Sequence, residues 1–235
     1  MLKGKLYLFP TPLSEAEINT VIPEYNIQLI KNIKHFIAED AKTARRFLKL
    51  CAYHKIEEAT ISLLNEHTVN ADSAEFLNPL LNGNDVGLMS DAGCPGIADP
   101  GASVVKLAHK NNIKVIPLIG PSSILLTAMA SGFNGQNFAF VGYLPIEKPH
   151  RNKRIKELEQ LAKNYRQAQY FIETPYRNTQ LMTDLLASLH PQTCICLGIN
   201  LTHADQLVIS KTVADWKKSE IPPIHKIPVV FGIYF

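Results

Sequence analysis

Two short stretches carry residue types suited to holding a ligand. The first runs Ser90-Asp91-Ala92-Gly93-Cys94-Pro95-Gly96-Ile97-Ala98-Asp99-Pro100-Gly101, and the second is Gly120-Pro121-Ser122-Ser123. Gly93, Gly96 and Gly120 let the backbone take positive φ and approach a ligand closely. Pro95, Pro100 and Pro121 stiffen the loops, Ser90, Ser122 and Ser123 offer hydroxyls, and Asp91 offers a carboxylate. Further polar groups follow apolar runs: Glu39-Asp40 after Phe36 to Ala38, His67 after Thr60 to Leu64, and Arg177 after Gln169 to Ile172. A carboxylate or histidine in such a place could take a proton from an acceptor, and an arginine could meet an anion. Each also has an ordinary structural use. Glu39 and Asp40 could cap a helix and pair with arginines, His67 could be a structural histidine, and Arg177 could pair with Glu173.

The elements that must position these groups alternate. Val86 to Met89 and Val115 to Ile119 are short apolar runs, expected as buried parallel strands. Asp99-Pro100 and Pro121-Ser122-Ser123 are helix openings. Strand, loop and helix in repetition give an α/β sheet, whose ligand sits beyond the carboxyl ends of the strands. Leu6 to Phe9, Phe36 to Ala38, Thr60 to Leu64, Phe138 to Val141, Gln169 to Ile172 and Val229 to Tyr234 are further strands. Ser14 with Glu17 forms a capping box for a first helix, and Ser73 to Leu81 is another helix. Asp40 or Thr43 caps a helix on which Lys42, Arg45, Arg46 and Lys49 share one broad face. That face would track phosphates or simply be solvated.

A domain boundary is placed after Gly142-Tyr143-Leu144-Pro145, giving domains 1–145 and 146–235. Glu147 to Arg154 is then a polar, basic linker. His150, Arg151, Lys153, Arg154 and Lys156 form the densest positive patch and open a charged helix over Ile155 to Asn164. This patch is either a first contact for RNA or an ordinary charged surface. Gln180 to Leu189 is a helix of the second domain.

With 235 residues, 46% hydrophobic and 19% charged, the chain can build one large core or two small ones, and global disorder is excluded. A net charge of +3 is a mild basic bias, compatible with RNA. Four cysteines do not make a disulfide framework. Cys194 and Cys196 read as a core pair, and no metal constellation has ligand spacing. Apolar runs fall short of a membrane span, and the N-terminus lacks the pattern of a signal peptide, which points to the cytoplasm.

The segment from Ser90 to Gly101 resembles the SDAGTPGISDPG signature of the tetrapyrrole methylase family, differing only at Cys94 and Ala98. Pro117 to Ser123, Ala130-Ser131-Gly132 and Gly142 to Pro145 match the PLPGPSA, ASG and GFLP runs of its small-subunit ribosomal RNA 2′-O-methyltransferase I branch, in order. Ala38 to Leu48 resembles AEDTRHTRRLL, and Glu173 to Arg177 resembles EAPHR. The resemblance covers Leu6 to about Asn178. It implies S-adenosylmethionine (SAM) bound in a cleft between two α/β/α domains with parallel or mixed sheets, in a homodimer. It places Phe9, Pro10, Thr11, Asp91, Ala92, Gly93, Ile97, Ser122 and Ser123 at SAM, with Asn200 and Pro228 near the adenine. Glu39, Asp40, His67 and Arg177 then face the acceptor, expected to be RNA of the small ribosomal subunit, and no metal is required.

The chain also departs from the family. Ser14-Glu15 replaces a Gly-Asn pair after Thr11-Pro12-Leu13, and Thr68 replaces an Asn after His67. Gly198 to His203 keeps only Leu-Thr of an Arg-Glu-Leu-Thr-Lys segment. Ile227-Pro228 replaces a Gly-Glu, and the helical tail of longer members is not seen after Phe235. These departures leave two alternatives: a small-molecule acceptor such as a tetrapyrrole, and a non-catalytic SAM-binding protein.

Overall fold

The computed structural model describes residues 2–64 and 75–235. The chain divides into two units, Met1–Ser122 and Ser123–Phe235.

The first unit contains β1 (Lys5–Phe9), α1 (Ile18–Val21), α2 (Glu24–Ile30), β2 (His35–Ala38), α3 (Ala41–Leu50), β3 (Thr60–Leu63), α4 (Asn78–Leu81), β4 (Val86–Met89), α5 (Ala102–Lys110) and β5 (Lys114–Pro117). Its strands order β3-β2-β4-β1-β5, and every pairing is parallel. Successive strand residues point to opposite faces. Tyr7, Phe9, Phe36, Ala38 and Met89 therefore pack with Ile27, Ile30, Phe47 and Leu48 of α2 and α3. Leu6, Ile37, Val86 and Leu88 pack on the other face with Leu80, Val104 and Ala108 of α4 and α5. This is the arrangement that right-handed crossovers give when the chain winds first one way and then the other.

Three local expectations change. The β5 strand lies at the sheet edge and is partly exposed, whereas β4, in the interior, is buried throughout. The capping box at Ser14 and Glu17 does not form. The α1 helix is a single turn that starts only at Ile18, with Glu17 at its N-cap and no side-chain cap bond among the described residues. The helix expected from Ser73 is a 3-10 turn, Glu75–Leu77, followed by α4, and its first two positions lie outside the described residues.

The second unit contains α6 (Ser123–Ser131), β6 (Phe138–Tyr143), α7 (Lys148–Tyr165), β7 (Ala168–Ile172), α8 (Asn178–Ser188), β8 (Cys194–Ile199), β9 (Leu207–Thr212), α9 (Val213–Trp216) and β10 (Val229–Tyr234). Its sheet orders β6-β7-β10-β8-β9 and is mixed: β6 and β7 are parallel, and the remaining neighbours are antiparallel. Phe171, Val229, Phe231 and Ile233 pack with Leu158, Leu181, Leu185 and Trp216 on one face. Tyr170 and Val230 meet Ile124 and Ala128 of α6 on the other.

The unit begins upstream of the boundary expected at 145, because β6 pairs with β7 and α6 packs across β8, β9 and β10. A Cβ on Gly198 of β8 would lie 2.1 Å from Thr127 Oγ1 of α6, so this crossing is made at a glycine.

The basic stretch expected as a linker is the start of α7. Arg151 within it is buried, and its Nε and Nη2 donate to Asp184 Oδ2 at 2.8 and 2.6 Å. Its Nη1 also donates to the carbonyl of Ile146. A buried guanidinium needs such a partner, so Arg151 staples α7 to α8 and is no surface contact. Cys196 is fully buried on β8 and Cys194 partly so; burial pushes the Cys196 thiol up to about 11.

Candidate active site

Because all five strands of the first sheet run parallel, their carboxyl ends lie along one edge, and the loops carrying the expected site residues gather there. The chain leaving β1 is fixed to the chain leaving β4. Thr11 N–H donates to Gly93 O at 2.9 Å, and Gly93 N–H donates back to Thr11 O at 3.1 Å. Thr11 Oγ1 adds a bond to Ser90 O at 3.1 Å, and Ser90 Oγ donates to Gly93 O at 2.9 Å. Gly93 sits at φ +79°, in the left-handed region, which explains a glycine there. The loop after β5 joins them. A Cβ on Gly120 would lie 2.3 Å from Pro10 Cβ, and Cys94 Sγ donates to Pro121 O at 3.5 Å.

Phe9, Pro10 and Thr11 are buried, while Asp91, Ala92 and Ile97 are exposed along this edge. Ser122 ends the first unit and Ser123 opens α6 of the second.

An acidic cluster sits beside the clamp. Asp99 Oδ1 accepts the N–H groups of Gly96 and Gly101 at 2.8 and 2.6 Å, closing the loop at the start of α5. Glu39, just past β2, comes close enough to Asp99 and Asp91 for their carboxylates to act on its own. Burial raises the Glu39 carboxyl to about 7, helped by the like charges of Asp99 and Asp91. Burial also raises Asp99, and its two backbone N–H bonds oppose that shift. Asp40 has a different environment. Its Oδ1 caps α3, accepting from Thr43 N at 2.7 Å and Thr43 Oγ1 at 3.0 Å, and these bonds hold the carboxyl below its usual value. The two adjacent carboxylates thus differ: Asp40 caps a helix and is held low, while burial raises Glu39.

A cleft of about 450 Å³ opens along the same edge. Thr11, Asp91 and Ala92 of the clamp line it, with Pro12, Leu13 and Glu15 after β1 and Thr43, Arg46, Phe47 and Leu50 of α3. Arg46 Nη2 lies 2.6 Å from Glu15 Oε1, and both side chains are mostly exposed, so this is a soft pairing that another anion could replace. The charged face of α3 therefore reaches the cleft through Arg46.

His67 lies outside the described residues. Arg177, Asn200 and Pro228 belong to the second unit. Arg177 Nη2 bonds Glu173 Oε1 at 2.7 Å, the structural pairing that the sequence offered. Asn200 has φ +48° at the end of β8, and its N–H donates to Pro228 O at 2.9 Å, so these two residues stand together. Two groups of the first-unit edge escaped the sequence reading of the site. Asp99 was seen only as a helix opener, although its spacing to Gly96 and Gly101 marks a loop closed on a carboxylate. Arg46 was one of four cations on α3, and no sequence signal singles it out. Among the described residues, no group of three or more His, Cys, Asp or Glu is arranged to hold a metal, and no helix is long and apolar enough to cross a membrane.

No family model matches the chain. Curated relatives do. Ribosomal RNA small subunit methyltransferase I of Halalkalibacterium halodurans is 30% identical over 213 residues, 87% of this chain and 68% of that protein. The protein of the same name from Leptospira biflexa is 31% identical over 209 residues, 88% of this chain and 81% of the relative. That from Bacillus subtilis is 35% identical over 174 residues, 74% and 56% of the two chains. Among solved structures, the crystal structure of the methyltransferase CobJ superposes with a TM-score of 0.63 at 16% identity, covering 98% of this chain and 94% of that one, a likeness of fold. The signature loop, the α/β architecture of both units and these identities agree: the chain is a methyltransferase and belongs to the ribosomal RNA small subunit methyltransferase I family of the tetrapyrrole methylases.

Proposed function

We propose that this chain transfers a methyl group from SAM to a ribose 2′-hydroxyl of small-subunit ribosomal RNA. The observation that carries the reading is Glu39, a carboxyl raised to about 7 by burial and by Asp99, at the strand-end edge that also carries the Thr11–Gly93 clamp. The names of the relatives supply the acceptor class.

The donors at this edge fit SAM. Carboxylates at Asp91 and Glu39 suit a cationic sulfonium, and the glycine at position 93 keeps side-chain bulk off the loop. SAM supplies a methyl already activated by its positive sulfur. Thr11 and the turn from Asp91 to Gly93 would hold it on the first unit, with Ile97 and Ser122 following in the same loops. Ser123, Asn200 and Pro228 are the second-unit candidates.

The remaining tasks fall to this chain's own side chains. Ionised Glu39 would take the proton that a neutral hydroxyl must lose, and a carboxyl near neutrality is matched to that work. Arg46 would exchange Glu15 for a phosphate of the acceptor. Asp40 would keep α3 in place. The homodimer that the family resemblance implies and the cytoplasmic location expected from the sequence belong to the same reading.

The test begins with calorimetric titration of S-adenosylhomocysteine into wild type and Asp91→Lys. Transfer of labelled methyl to isolated small ribosomal subunits follows. Wild type should bind in the range of about 1–50 μM and label the RNA, and Asp91→Lys should do neither. Glu39→Gln should bind the ligand and lose the rise of rate through neutral pH. Binding without labelling of RNA, or with labelling of a small molecule instead, would remove the RNA acceptor.

A further inference from the structure

We propose that the turn after β7 and the segment before β10 build a stacking platform for an unpaired RNA nucleotide. Tyr176 would take the base, and Lys226 and Arg177 the phosphate. The proposal rests on the RNA reading above and names a contact of the second unit.

Tyr176 lies in the 3-10 turn Pro175–Arg177 and is 69% exposed. Its surroundings are ordered. Lys226 Nζ sits 5.5 Å from the ring centroid, and the His225 ring meets it edge-on at 6.4 Å. Lys226 has φ +62°, a left-handed backbone costly for a lysine, and its N–H donates to Pro175 O at 2.9 Å. Buried Asn178 fixes the same segment, its Nδ2 donating to Ile224 O at 3.2 Å and to Ile227 O at 2.7 Å. Five hydrogen-bonding, cation–π or ring contacts thus hold an aromatic ring, a histidine and a lysine at the surface.

The charges complete the match. Arg177, next in the chain, gives Nη2 to Glu173 and keeps part of its guanidinium exposed, while its Nε is buried and meets no acceptor among the described residues. Tyr143 at the end of β6 is 56% exposed, a second open ring of the same unit. Aromatic faces set between cations suit single-stranded RNA, whose bases stack and whose phosphates seek the charges. A duplex would present no free base to Tyr176. An acidic peptide would use the cations and leave the rings idle.

The experiment is fluorescence anisotropy with a labelled single-stranded RNA of mixed sequence, on wild type, Tyr176→Ala, Tyr176→Phe and Lys226→Ala. Calorimetry with S-adenosylhomocysteine runs in parallel. Tyr176→Ala should weaken RNA binding by about 5- to 150-fold, the span of one base stack. Tyr176→Phe should keep the affinity, and Lys226→Ala should reduce the slope of log affinity against log salt by about one. S-adenosylhomocysteine binding should be unchanged in all three. Equal RNA affinity of wild type and Tyr176→Ala would overturn the platform and leave the RNA reading intact. Loss of S-adenosylhomocysteine binding in Tyr176→Ala with RNA affinity unchanged would overturn it and assign the ring to the cofactor's adenine. Absence of RNA binding by wild type would overturn both.

Discussion

Glu39 and Asp99 come together from different strand ends, where Asp99 adds to burial in raising the Glu39 carboxyl, and Asp99 uses its Oδ1 to close the Gly96–Gly101 loop. An amide at position 99 could keep both backbone N–H bonds while turning a donor toward Glu39. Asp99→Asn should therefore leave the loop folded and lower the Glu39 carboxyl part of the way from about 7 towards 4.5. Burial, the larger cause, would remain. Carbon-detected NMR titration of the glutamate carboxyls measures this, and an unmoved Glu39 would refute the pairing.

Stability should depend on pH through the same group. The folded carboxyl holds its proton up to about 7, and the unfolded one releases it near 4.5. Between these values the folded chain binds more protons, so stability falls as pH rises through the window. Solvent around the partly open group reduces the size of the effect. Melting temperatures of wild type should decline from pH 4.5 to 7 relative to those of Glu39→Gln. Parallel curves would show that the raised value does not exist.

Asp184→Ala should be among the most damaging changes in the second unit. It would leave the Arg151 guanidinium buried and uncompensated, and removing one partner of such a pair costs about 3–5 kcal/mol. Replacing both residues with apolar ones of similar volume should restore much of the loss. Urea denaturation of the single and double variants decides it, and a near-neutral Asp184→Ala would return Arg151 to the surface.

Gly198→Ala would drive a methyl into Thr127, 2.1 Å from Oγ1 and 3.1 Å from Cβ. Overpacking of this kind costs about 1–3 kcal/mol. Pairing the change with Thr127→Ala should recover part of that, because the hydroxyl goes and the Cβ stays. Thermal unfolding of the two variants provides the comparison.

The first sheet was legible because its strands are short apolar runs ended by Gly, Pro and Asp, and such punctuation survives without tertiary context. The last strand, Val229 to Tyr234, was legible for the same reason. What escaped depended on distant partners. Arg151 reads as one cation among five, and only Asp184, 33 residues away, makes it a core residue. The α6 helix is apolar nearly all round, so its sequence does not say which sheet it covers, and the boundary was set after β6 when α6 and β6 both serve the second sheet. At the site, loop glycines and the carboxylates Glu39 and Asp91 stood out by type. The pairing of Glu39 with Asp99 could not, since it joins β2 to a loop 60 residues later across two intervening helices and two strands.

Thr11 and Gly93 each donate to the other's carbonyl, so parting the two loops breaks both bonds. Their protection factors against hydrogen exchange should therefore be similar although the residues lie on different loops. The turn after β1 and the signature loop after β4 then move as one hinged piece, and a change confined to Pro12 or Leu13 would be felt at Asp91.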